Sequence, residues 1–155
     1  MGQPAAYQIE LTARTATADC GTDRLGPLLE LALRRHDCRQ ARLSCALVDD
    51  PEIARLNEQY LGHQGPTDVL SFDLSEPGQP GLEGEIVVSV ETARREAEKR
   101  NHDVAAEVAL YCLHGALHLL GYDDAQPDQA RRMHETEDEL LVAAGIGPVY
   151  ETGTR

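Results

Sequence analysis

The stretch from Val104 to Leu120 constrains this chain more than any other. It is the most apolar segment with helical spacing, and it falls short of the roughly 20 apolar residues needed to cross a bilayer. A helix that is apolar nearly all round is stable in water only when other elements cover it, and the chain supplies strands for a sheet that can. Gln8 to Ala13 alternates apolar and polar residues, and Arg42 to Val48 reads as a second strand. Val69 to Phe72 and Glu85 to Ser89 are short, β-branched-rich runs bracketed by glycine and proline, so they are expected to be adjacent, largely buried strands. Asp23 is the expected cap of a helix carrying Leu25, Leu28, Leu29, Ala32 and Leu33, and Asp50 followed by Pro51 the expected cap of a helix over Glu52 to Tyr60, closed by Gly62, Gly65 and Pro66. Glu91 to Asn101 is charged enough for a solvated helix, and Pro127 to Ala144 reads as a last amphipathic one, stopped by Gly145 and Pro148. The expected class is α+β: a small mixed β-sheet of about four strands packed with about five helices, with Val104 to Leu120 as the central buried helix. Pro77 to Gly81 is too short to link two domains, so residues 1–155 are expected to form one.

Composition narrows the function. Lys and Arg total 14 against 27 Asp and Glu, a formal charge of −13 with a pI near 4.7, which excludes a basic protein that coats nucleic acid. Lys99 is the only lysine, so phosphate contacts would fall to arginine. With no Trp and Phe72 as the only Phe, the core must be aliphatic. Met1 to Ala6 has neither a basic nor an apolar leader segment, and Ala6 stands where a myristoylation signal has Ser or Thr. The expectation is a cytoplasmic protein without a membrane partner. Cys20, Cys38, Cys45 and Cys112 form no C-x-x-C pair and read as reduced packing thiols.

The chemistry lies in Leu113 to Asp124. His114 and His118 stand four apart, on one helix face with β-carbons about 5 to 6 Å apart, so their imidazoles can grip one metal ion. Gly121 lets the backbone turn, and Asp124 can return as a third ligand, leaving a coordination position open to water. The competing reading is a pair of core histidines bonded to backbone. The glycine and the acid that follow favour the metal, because they complete the layout H-x-x-x-H-x-x-G-x-x-D. Asp123 and His134 are rival third ligands, and Asp123 is also a candidate for orienting a histidine. Zinc peptidases with a similar layout need Glu beside the first histidine. Here that residue is Gly115, which makes peptide hydrolysis by that route improbable and leaves phosphodiester hydrolysis open.

His114-Gly115-Ala116-Leu117-His118-Leu119-Leu120-Gly121-Tyr122-Asp123 resembles the signature of the YbeY family, bacterial rRNA maturation factors classed as single-strand-specific, metal-dependent endoribonucleases. Leu56 to Gly62, Pro66 to Phe72 and Gly84 to Ser89 resemble that family's other blocks in the same order, so the likeness runs from about Ala46 to Pro148. The resemblance implies one zinc ion, with manganese or another divalent metal as an alternative. It also implies an RNA rather than a DNA substrate: the ribosomal RNA precursor, at the 3′ end of 16S rRNA late in small-subunit maturation, with a part in ribosome quality control. Partners would be the small subunit and its proteins. A non-catalytic assembly factor with a structural metal, and a metallohydrolase of another substrate class, are the alternatives.

Two departures from the family pattern bear on this. The family usually has a third histidine where this chain has Asp124, which removes one unit of charge and makes a harder ion more competitive. It typically has Arg where this chain has Leu61, so another cation, with Arg55, Arg94 and Arg95 as candidates, must contact phosphate, or cleavage is weak. For Arg94, Arg95 and Arg100 the competing reading is a solvated helix face. Thr67 and Ser71 are candidate phosphate contacts, although Thr67 and Asp68 can equally form a turn. His63 and His102 are expected to be solvated, and His36 to end a helix.

Overall fold

The computed structural model describes residues 5–149. Four strands, β1 (Ala6–Ala13), β2 (Gln40–Val48), β3 (Val69–Asp73) and β4 (Leu82–Ser89), form one mixed sheet in the order β1-β2-β4-β3. The β1–β2 and β2–β4 pairs are parallel and β3–β4 is antiparallel. Five helices accompany them: α1 (Leu25–Arg35), α2 (Asp50–Leu61), α3 (Val90–Arg100), α4 (Val104–Leu119) and α5 (Pro127–Ala143). The class is α+β, as expected.

The two-residue period of a strand divides the sheet between two cores. Leu43, Cys45, Leu47, Ile86 and Val88 face α1 and α4, whereas Val48, Val87 and Leu70 meet Ile53 of α2 on the other side. Full burial of leucines such as Leu113 and Leu117 of α4 is worth about 1.5–3 kcal/mol each. Helix and sheet meet through two reciprocal notches. A β-carbon on Gly115 of α4 would lie 2.8 Å from Ile86 Cγ2, and one on Gly84 of β4 would lie 2.6 Å from Leu119 Cδ1.

Several expectations are corrected. Asp23 does not cap α1: it sits in a 3-10 turn, Thr22–Arg24, that runs directly into the helix, and the N-cap position is Arg24 without a side-chain cap bond. The cap of α2 is Asp49, which accepts the Glu52 amide at 3.0 Å. Asp50 is the first helical residue, and its carboxylate instead accepts from Ser89 Oγ at 2.6 Å and Arg95 at 2.7 Å. Strand β3 is at the sheet edge, so only Leu70 is buried in it. His102 is not solvated: its Nε2 lies 2.5 Å from Oε1 of the fully buried Glu107. The four cysteines are free, with Cys45 and Cys112 buried and their sulfurs 3.3 Å apart. Among the described residues no helix is long and apolar enough to cross a membrane.

Candidate metal centre

Beyond its first turn, α4 is buried at every position except His114 and His118. Glu107, Tyr111, His114 and His118 follow the i, i+4, i+7, i+11 spacing that places residues on one helix face, so a polar stripe runs along an otherwise apolar helix. The helix ends where Gly121 adopts φ 107°, a left-handed value glycine takes without penalty. The Tyr122 amide bonds to the Leu117 carbonyl at 2.9 Å and the Gly121 amide to the His118 carbonyl at 3.1 Å, the double bond of a Schellman turn. The turn returns the chain over the stripe. His114 Nε2 and His118 Nε2 are 3.0 Å apart, and Asp124 Oδ2 lies 3.5 and 3.6 Å from them. One ligand atom from each of the three residues falls within 4.8 Å of the others.

The outer bonds fix what these atoms offer. His118 Nδ1 lies 3.0 Å from the Tyr122 carbonyl and His114 Nδ1 lies 2.7 Å from Glu137 Oε2. Both partners are acceptors, so each Nδ1 carries a proton, which leaves Nε2 of each ring as the atom available to a metal ion. Two imidazole nitrogens and a carboxylate oxygen thus converge on one point, a set of atoms that a single cation can bridge. Two imidazole nitrogens and one carboxylate oxygen suit zinc, and the oxygen also accommodates a harder ion. Tyr122 is anchored in turn, its hydroxyl 2.7 Å from Nε2 of His36 at the end of α1. Burial works to lower the His114 pKa, but the bond to Glu137, with the charges of Glu137, Asp124 and Asp68, outweighs it and raises the pKa above the ordinary imidazole value.

Glu137 carries no signal in the motif, yet it is fully buried on α5 and accepts from both His114 and His134. Its position was readable otherwise: Met133, Glu137, Leu140 and Leu141 share one stripe of α5, and an acid on an apolar stripe needs a partner. His134 Nδ1 is engaged with Glu137 at 3.1 Å, and the ligand atoms gathered with those of His114 and His118 include none from it. Asp123 accepts the Ala125 amide at 3.0 Å and so shapes the turn, while the orienting role falls to Glu137 and Tyr122.

His114 and Asp124 open onto a cleft of about 540 Å³ whose lining includes Thr67, Asp68, Arg95, Arg100, Tyr111 and His134. Ser71 and Leu61 do not line it, and Leu61 is exposed at the end of α2. Arg94 turns away to Asp19, at 2.9 Å, and Arg55 reaches Gln59. Residues 67–68 enter β3 through a bend and not a hydrogen-bonded turn, with Asp68 accepting the Val69 amide at 2.8 Å, and Thr67 lines the cleft. Gly115 faces the sheet, which leaves position 115 no room for the glutamate a peptidase would need.

Fold and site together define a class: an α+β protein in which a helix packed on the sheet presents two imidazoles, joined across a glycine turn by a carboxylate, as a three-donor set able to hold a metal ion. The family model described as endoribonuclease YbeY matches residues 13–145. The chain belongs to the YbeY endoribonuclease family. It is similar to an endoribonuclease YbeY of Thermobifida fusca, 43% identical over 126 residues that span 76% of this chain and 80% of the relative. The corresponding Bacillus subtilis protein is 35% identical over 130 residues, 77% of this chain and 83% of the relative. A solution structure from Thermotoga maritima superimposes with a TM-score of 0.60 at 26% identity, covering 88% of this chain and 91% of the other.

Proposed function

We propose that this protein is a metal-dependent endoribonuclease acting on single-stranded RNA, with His114, His118 and Asp124 holding one divalent cation, zinc or manganese. Family membership supports the reaction class. The observation that carries the metal is the convergence of one ligand atom each from His114, His118 and Asp124 within 4.8 Å of one another. When bound, the ion supplies Lewis-acid chemistry, polarising a phosphate oxygen and lowering the pKa of water. The chain's own groups do the rest. Glu137 and the Tyr122 carbonyl hold the Nδ1 protons, so Nε2 of each ring is left for the ion, and Leu110 and Tyr111 wall the cleft floor. Thr67, on the cleft wall, would exchange its contact with Asp68 for donation to a phosphate oxygen.

The substrate in this reading is the ribosomal RNA precursor at the 3′ end of 16S rRNA, met on the small subunit in the cytoplasm by a single domain. The net charge of −13 supports delivery of the RNA by basic ribosomal proteins over free scanning of nucleic acid.

The test is metal content together with cleavage. Purified protein should carry one transition-metal ion per chain and cut a single-stranded rRNA precursor, and His118→Ala should lose both while remaining folded. Metal retained without cleavage would make it an assembly factor with a structural ion. Peptide turnover without RNA cleavage would make it a hydrolase of another class.

A further inference from the structure

The cleft that opens from the candidate metal centre also receives two arginines of α3, Arg95 and Arg100. Each is braced by a carboxylate. Arg95 donates to Asp50 at 2.7 Å, where Ser89 and Thr92 hold the same acid, and also to Thr92 Oγ1 at 3.0 Å. Arg100 donates to Glu107 Oε1 at 3.3 Å. Glu107 is fully buried, and its Oε2 is the buried side-chain oxygen left without a partner among the described residues. A guanidinium presents five donors in a rigid fork, so one edge can pair with a carboxylate while the rest face a phosphate.

Position settles which phosphate. Glu107 precedes His114 by seven residues on the same stripe of α4, which at 1.5 Å per residue places the Arg100 anchor roughly 10 Å from the imidazoles. That is too far for the phosphate being cut and suits a neighbouring one along the strand. The position that Leu61 occupies, by contrast, does not line the cleft.

We propose that Arg100 and Arg95 bind the phosphates of the RNA strand that flank the scissile bond, with the buried Glu107 and the half-buried Asp50 acting as positioning residues for the two guanidinium forks. This rests on the endoribonuclease reading above. It accounts for how a cleft that also contains Asp68 and Glu96 can hold a polyanion: the contacts are few, fixed and directional.

The experiment measures binding of a single-stranded 2′-O-methyl oligonucleotide, shown by gel to stay intact, by fluorescence anisotropy over a series of salt concentrations. Arg95→Gln and Arg100→Gln should each weaken binding about tenfold and lower the slope of log affinity against log salt by about 1. Arg100→Lys keeps the charge that Glu107 needs and therefore guards against misfolding. It should keep the slope and lose affinity, because the fork is gone. Arg94→Gln, which alters a cation facing Asp19 and not the cleft, should leave both unchanged. Wild-type binding that survives Arg95→Gln and Arg100→Lys undiminished, or falls equally in Arg94→Gln, overturns this inference alone. Wild-type protein that neither binds nor cuts single-stranded RNA overturns the endoribonuclease reading with it.

Discussion

Glu137→Gln isolates the orienting carboxylate from the ligands themselves. Glu137 is fully buried and accepts from His114 Nδ1 at 2.7 Å and His134 Nδ1 at 3.1 Å. Glutamine keeps the volume and can still accept from His114, so shape and the available Nε2 are retained while the charge is lost. A hydrogen bond to a charged group is worth about 1.5–3 kcal/mol and a neutral one about 0.5–1.5, so the difference is about 1–1.5 kcal/mol. At about 1.4 kcal/mol per decade, this makes metal binding about tenfold weaker, at the low end of the 10–100-fold typical for groups that orient a metal's histidines. Competition with a chromophoric chelator at pH 7.5 reads the affinity, and thermal melts of the metal-free protein confirm that the fold persists. Affinity within twofold of wild type would refute the idea that this carboxylate tunes the site.

Three further outcomes are expected. Metal binding requires His114 unprotonated, and its pKa is raised, so affinity should begin to fall on acidification at a pH above the ordinary imidazole value of about 6.5; a chelator titration with its midpoint below that value would contradict the argument. Gly115→Ala places a β-carbon 2.8 Å from Ile86 Cγ2; overpacking of about 1–3 kcal/mol less about 1 for improved helix propensity should lower the melting temperature by roughly 2–4 °C, and a rise would refute the notch. Asp124→His exchanges oxygen for nitrogen at a partly exposed position and should shift selectivity toward zinc over manganese by calorimetry, with an unchanged ratio counting against Asp124 as a ligand.

The parts of this fold that could be read in the sequence are those written locally. The 3.6-residue period placed His114 and His118 on one face, Gly121 announced the turn, and the strands showed in their β-branched runs. What was hidden depends on contacts distant along the chain. The sheet order β1-β2-β4-β3, with β3 at the edge, is set by pairing that no local pattern encodes. Glu137 lies 23 residues from His114 and meets it only once α5 docks. His102 looked solvated because its partner, Glu107, is an acid that a sequence alone places on the surface. Asp50 reads as a cap because Pro51 follows it, where proline suits the first helical position. The structure gives the cap to Asp49 and sends Asp50 to Ser89, Thr92 and Arg95.

The paired notches at Gly115 and Gly84 reach beyond packing. Ile86 enters the helix and Leu119 enters the strand, so α4 is pinned at two points along its length and can neither slide nor rotate on the sheet without driving a side chain into backbone. The two imidazoles therefore sit on the one turn of α4 that is keyed into β4, His114 beside the first key and His118 beside the second.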